Sequence, residues 1–194
     1  MIIRKDNLKL VSVSDIVLNS EPKPFIFDGK IDPVFLSNVL FDRMQELGGI
    51  GLSANQVGLN LSVFIMGNEE ARLDIFNPTI TGESKEKSNF NEGCLSFPGI
   101  TLDIKRPISI EVEYFNNKGE KIETYLTGLT ARIFQHEYDH MLGKTFKDHV
   151  SPMKWAMAVK KFKHKKEKIV KKHAAKIAYD MLKDVQNNAS EVSR

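Results

Sequence analysis

His136 and His140 stand four residues apart around Glu137 in the stretch IFQHEYDHML, residues 133–142. On an α-helix, positions i and i+4 share one face about one turn apart, so both imidazoles can reach a single ion with the carboxylate beside it. The His-Glu-x-x-His pattern suits a metal with an adjacent general base, although a helix also carries paired histidines as ordinary polar residues. Two imidazoles leave a catalytic tetrahedral ion short of its usual three protein ligands. The segment NEGCLSFPG offers a third in Cys94, placed after Gly93 and before Pro98 and Gly99, where a thiolate can point out of a turn or a strand edge. A free cysteine is also a common small core residue. The neighbouring Glu92 and Gly93 and the absence of any other thiol point instead to a Cys/His/His site with one position open for water. On these residues alone the two readings stand level.

A third segment, GGIGLSANQVG (48–58), is rich in glycine but lacks the lysine of a P-loop and does not fit G-x-G-x-x-G, which argues against a phosphate cradle. It reads either as a plain structural turn or as a close backbone approach to an extended ligand. In the second case Gln56 offers a carboxamide donor to a developing oxyanion.

The elements that must position these residues can be read from pattern. DPVFLSNVLFDRMQELGG has Asp32 as N-cap, Pro33 at the first helical position and Gly48-Gly49 as the stop, which predicts a helix. Residues 61–66 and 73–78 read as short strands. ISIEVEYF, NNKG and EKIETYL together read as a hairpin. A helix from Leu129 to about Leu142, ended by Gly143, carries the histidines. The expected class is α+β, with antiparallel sheets packed around a central metal-bearing helix and a basic helix at the C-terminus.

The 194 residues, 41% of them hydrophobic, suffice for one domain plus an extension, with the boundary expected at residues 150/151. One cysteine excludes an intrachain disulfide. No apolar run approaches the roughly 18 residues of a membrane span, and the opening residues show neither an h-region nor a small-residue cleavage site, so the chain reads as cytoplasmic with no membrane partner. The net charge of +3 is unevenly distributed: residues 153–194 hold 12 Lys or Arg against 4 Asp or Glu, and residues 1–152 hold 16 against 21. In that tail Trp155, Val159, Phe162, Ile169, His173, Ile177 and Met181 recur at roughly helical spacing among lysines. The stripe either packs on the domain or leaves a basic face for a polyanion. His149, His164 and His173 read as surface or interface residues.

GIGLSANQ (49–56), EGCLS (92–96) and QHEYDH (135–140), in this order and spacing, resemble the three motifs of the peptide deformylases, and the likeness runs from about residue 32 to residue 147. The resemblance implies that Cys94, His136 and His140 hold one divalent metal ion. Fe2+ is expected, with Zn2+, Ni2+ or Co2+ accepted. It further implies that Glu137 is the general acid/base, and that Gln56 and the backbone N–H of Leu95 form the oxyanion hole. Ile50, Gly51, Glu92, Gly93, Leu129, Arg132 and Ile133 would then line the substrate pocket. The implied reaction is removal of the N-formyl group from the formylmethionine of a new polypeptide, releasing formate, in a bacterial-type translation compartment that includes organelle or phage origin. The basic tail would meet the ribosome. Ser53 stands where the first motif commonly has alanine. Arg132 stands where an apolar residue often lines the pocket, and would narrow it, lay its stem along the wall or meet the substrate's polar end. A zinc endopeptidase would share the His-Glu-x-x-His motif but usually takes His or Glu as third ligand, leaving EGCLS and Gln56 unexplained. A nucleic-acid or ribosome-binding module with a structural metal would need a fourth good ligand, which the sequence does not supply. The sequence does not determine the oligomeric state.

Overall fold

The computed structural model describes Ile3 and residues 7–192, with side chains as far as His173 and at Lys176. Two compact units are present, Met1–Ser151 and Pro152–Arg194. In the first, helix α1 (Pro33–Glu46) starts as its sequence predicts: Asp32 accepts hydrogen bonds from the backbone N–H groups of Val34 and Phe35 at 2.8 and 3.3 Å. These bonds satisfy two of the donors that a helix start leaves open. The chain leaves the helix through Gly48 at φ 69°, a conformation that costs glycine no Cβ clash.

Five antiparallel strands form the main sheet. In chain order they are β1 (Gly51–Ser53), β2 (Val63–Gly67), β3 (Arg72–Glu83), β6 (Ser109–Phe115) and β7 (Lys121–Thr127), and they lie side by side in that order. The remaining two, β4 (Lys87–Gly93) and β5 (Thr101–Pro107), pair as a separate antiparallel ribbon, with Glu92 opposite Leu102 and Gly93 opposite Thr101. Helix α2 (Gly128–Met141) follows β7 and ends at Gly143, φ 63°. The fold is the α+β arrangement expected from the pattern, and β6 with β7 is the expected hairpin, in the register Tyr114↔Ile122.

Three strands escaped the pattern reading. β1 is only three residues long. β4, KSNFNEG, contains a single apolar side chain. β5 alternates inward Leu102, Ile104 and Arg106, so that a charge sits where a period-two reading wants an apolar residue.

The strand β2 organises the core because it is buried on both faces. Val63 and Ile65 join Leu36, Leu40 and Met44 of α1, while Phe64 and Met66 join Ala131, Phe134 and Met141 of α2. Successive side chains of a strand point to opposite faces, so one five-residue run sets α1 against one side of the sheet and α2 against the other. Ile110, Val112 and Tyr114 of β6 extend the α2 side. This packing fixes the axis and roll of the helix that carries both histidines.

In the second unit, α3 runs Pro152–Val192. Trp155, Val159 and Phe162 fall on one helical face, Ile169 and Val170 are exposed, and the side chains of Ile177 and Met181 lie outside the described residues. Among the described residues no helix is long and apolar enough to cross a membrane.

At the bend of β3, Asn77 adopts φ 50° and brackets Phe25: its Oδ1 accepts from Phe25 N at 2.7 Å and its Nδ2 donates to Phe25 O at 2.9 Å. The pairing of β3 with β6 shifts register between Phe76 and Thr79, and Phe25 packs edge-on to Phe76 with ring centroids 4.8 Å apart. Asn77→Ala removes both bonds and puts a less tolerant residue in the left-handed region. It is expected to lower stability by about 2–4 kcal/mol in urea unfolding, with an unchanged slope.

Candidate active site

The buried face of α2 is apolar toward the sheet and polar toward the β4–β5 ribbon. On that polar side His136 and His140 sit one turn apart, with ring centroids 5.6 Å apart at 77°. Cys94 follows β4 directly and its carbonyl accepts from Phe97 N at 2.9 Å, a tight turn that faces the thiol toward the helix. Sγ lies 3.5 Å from His140 Nε2, and the ligand atoms of Cys94, His136 and His140 all lie within 4.8 Å of one another in buried positions. The expectation of a convergent Cys/His/His triad therefore matches the placement.

One carboxylate aims the first histidine. Glu92 Oε2 lies 2.9 Å from His136 Nδ1, which leaves Nε2 for the thiol side. The same carboxylate accepts from Arg106 Nε at 2.8 Å, Arg106 NH2 at 3.0 Å and Arg132 NH1 at 3.1 Å. Beyond it Arg106 pairs with Asp139 at 2.8 Å, and Asp139 meets His149 at 2.7 Å. A metal-ligating histidine is ordinarily oriented in this way by a hydrogen bond to its other ring nitrogen.

The electrostatics follow from burial against partners. Burial alone would raise Glu92, but the bonds from His136 and Arg106 outweigh it and hold the carboxyl at about 2. Burial would depress His136, yet the Cys94 sulfur, Glu92 and Glu137 around it raise it to about 10. His140, fully buried and beside a charged His136, is pushed down to about 3 and stays neutral. The site thus gathers a sulfur, a carboxylate and two imidazoles, with His140 held neutral. That donor set fits a divalent metal of borderline softness and not a hard, oxygen-seeking cation.

The acid/base and oxyanion candidates lie beside the triad. Glu137 is buried, and burial raises its carboxyl above the ordinary range. Its Oε2 accepts from Ser53 Oγ at 2.6 Å. The Gln56 carboxamide is held at both ends: Oε1 accepts from Ser53 N at 2.9 Å, and Nε2 donates to Ser96 Oγ at 3.1 Å and toward Cys94 Sγ at 3.5 Å. Leu95 is partly buried in the wall next to the ligand cysteine.

A cavity of about 620 Å³ opens onto Cys94, His136 and Glu137. Ile50, Gly51, Glu92, Gly93, Leu129, Arg132 and Ile133 all line it, as do Leu95, His136 and Glu137. Two of these positions have roles other than ligand contact. Both oxygens of Glu92 are taken by the arginines and His136, so it orients that histidine. Arg132 turns its head group to the β4–β5 ribbon. Its guanidinium donates to Ser88 O at 2.8 Å, Ser88 Oγ at 3.0 Å and Ile104 O at 3.2 Å as well as to Glu92. The walls are otherwise apolar, with Ile50, Phe90 and Leu129 exposed at the rim.

Sequence reasoning missed Arg106, Asp139, Ser96 and the rim residue Phe90. For Arg106 the signal was present, a charge on the inward face of an alternating strand. His149, read as a surface or interface residue, is exposed and meets Asp139 at 2.7 Å, and His164 and His173 are exposed as well.

Known proteins resemble this chain in sequence and in fold. The sequence profile described as Polypeptide deformylase matches residues 7–156. A peptide deformylase of Cytophaga hutchinsonii is 35% identical over 153 residues, covering 75% of this chain and 83% of the relative. One from Brucella suis biovar 1 is 38% identical over 160 residues, covering 79% and 90%. The crystal structure of a peptide deformylase from Synechococcus elongatus in complex with actinonin superposes with a TM-score of 0.72 at 33% identity, covering 79% of this chain and 85% of that one. With the family profile matching most of the chain, relatives above 30% identity and a solved structure of the same fold, the chain belongs to the polypeptide deformylase family.

Proposed function

We propose that this protein is a metal-dependent peptide deformylase that hydrolyses the N-formyl group of formylmethionine at the start of new polypeptides. The observation that carries the reading is the convergence of Cys94, His136 and His140 with Glu137 and the doubly held Gln56 amide at one end of an apolar cavity. Cys94, His136 and His140 would hold the ion; we assign Fe2+, with Zn2+, Ni2+ or Co2+ as substitutes. When bound, the ion supplies Lewis acidity, polarising the formyl carbonyl and easing removal of a proton from water.

The chain's own residues do the rest. The cavity's apolar walls take the methionine side chain and exclude water from it. Glu137 removes a proton from the attacking water as the water oxygen bonds to the formyl carbon. Its raised pKa, caused by burial, brings it nearer to the value that suits a group which must both take and give a proton near neutrality. Gln56 Nε2 and the Leu95 N–H donate to the oxygen that gains charge. Glu137 then delivers the proton to the amine nitrogen as the carbon–nitrogen bond breaks, leaving formate and a free amino terminus. A zinc endopeptidase reading leaves both EGCLS and the Gln56 geometry without a task.

The thiolate ligand, oxidisable along the cysteine ladder, suits a reducing compartment, and we place the protein in a cytoplasmic, bacterial-type translation setting. For the lysine-rich α3 we propose contact with ribosomal RNA phosphates.

Glu137→Gln should retain metal, because the ligands are unchanged, while formate release from formyl-Met-Ala-Ser falls by about 10²–10⁴-fold. Loss of metal would reassign Glu137 to the coordination shell, and retained turnover would defeat the mechanism. Cys94→Ser should hold metal less tightly under dialysis against a chelator. Peroxide should inactivate the ferrous enzyme much faster than the nickel form, and equal sensitivity would count against an iron-specific role. Intact protein should pellet with ribosomes less well as salt rises from roughly 50 to 200 mM, and Lys→Gln at Lys165, Lys166 and Lys168 should flatten that dependence without changing formate release. Salt-independent or absent pelleting would remove the RNA contact.

A further inference from the structure

The short edge strand β1 does more than close the sheet. Side chains of a strand alternate, so Gly51 and Ser53 share one face and Leu52 points the other way, where it joins the core beneath α1. The face shared by Gly51 and Ser53 meets Glu137. A Cβ on Gly51 would overlap Glu137 Oε1 and fall 2.9 Å from its Cδ and 3.0 Å from its Cγ, so the carboxylate lies directly over a backbone with no side chain. Two residues on, Ser53, with no exposed surface, donates its hydroxyl to Glu137 Oε2 at 2.6 Å. Gly51 and Glu137 line the cavity and Ser53 does not. The two carboxylate oxygens are therefore unequal: Oε2 is anchored on the buried side and Oε1 lies beside Gly51 at the cavity.

We infer that Ser53 is a positioning residue for the deformylation reaction, its hydroxyl locking the Glu137 carboxylate in one rotamer so that Oε1 is the oxygen presented to the reacting water and amine. This rests on the deformylase reading and deepens it. A side chain with three rotatable bonds, resting against a glycine gap, has little steric reason to keep one orientation, and a single short bond to a carboxylate supplies it. The backbone of Ser53 has a separate task, since its N–H donates to Gln56 Oε1 at 2.9 Å. One residue thus sets both the proton-transfer group and the oxyanion donor, through different atoms. Removing the hydroxyl isolates the first task, because the backbone N–H remains.

Ser53→Ala in the metal-loaded, full-length enzyme tests this directly. The site is small and the strand extended, so alanine fits without a void large enough to disturb the fold. Expected are a kcat lower by roughly ten- to a hundredfold, a KM for formyl-Met-Ala-Ser within about twofold, and unchanged metal content. The decisive readout is a double-mutant cycle with Glu137→Gln. If the hydroxyl acts through the carboxylate, Ser53→Ala has no further effect on residual kcat in that background. An undiminished kcat in Ser53→Ala, a change confined to KM, a loss of metal, or an equal drop in the Glu137→Gln background would each overturn the positioning role. Wild-type enzyme that releases no formate would overturn the deformylase reading itself.

Discussion

The buried carboxylate of Glu92 is the constraint on which the site depends. It takes hydrogen bonds from two arginines and the Nδ1 edge of a histidine, and the partners come from two other elements: Arg106 from β5, Arg132 and His136 from α2. An ionised carboxylate out of water costs several kcal/mol unless its oxygens are fully occupied. Here they are occupied, and the arrangement that achieves this is unique. Slide the β4–β5 ribbon one residue along α2 and the carboxylate faces the wrong way, because strand side chains alternate faces. The network is better understood as a register pin than as a source of stability, since buried ion networks contribute little net free energy. It sets where Cys94, two residues beyond Glu92, stands relative to His136 and His140.

The second contribution is packing. α2 is held from its other side by Phe64, Met66, Ile110, Val112 and Tyr114, with Phe134 at the centre. Phe134 sits edge-on to Phe64 at 5.1 Å. Close-packed aromatic contacts resist rotation of the helix about its axis, and even a modest roll would carry the imidazoles away from the thiol. The helix therefore divides its circumference between apolar contacts that fix its roll and polar contacts that fix its register. The buried ionisable groups of the site, Glu137 and His140, are tolerated because neither can move to water without breaking one of those two sets.

Arg132 shows how a departure from an expected apolar residue is absorbed. Its guanidinium finds four acceptors in the ribbon, two on Ser88, one on Glu92 and the carbonyl of Ile104, while the residue lines the cavity. The charge is met by the ribbon's own acceptors, and the ribbon gains another tie to α2.

What the sequence determined by itself was whatever depends on neighbours a few residues apart. Asp32 and Pro33 start a helix, Gly143 ends one, the β6–β7 alternation makes a hairpin, and His136 and His140 share a helical face, all from local geometry. The three motifs extended that to the family because each is a local string. The tertiary structure alone decided the contacts between distant residues. Ser53 meets Glu137 across 84 positions, Arg132 meets Glu92 across 40, and the tie of Asp139 to Arg106 has no counterpart in any periodic pattern. Such pairs form only after β2 has placed α1 and α2 on opposite faces of the sheet, because a hydrogen bond between residues so far apart has no free energy of its own to offset the cost of closing the loop. That is why Glu92, Arg132 and Ser53 could be read from sequence as pocket or filler, and why their work as anchors of a histidine, a ribbon and a carboxylate became visible only in the folded chain.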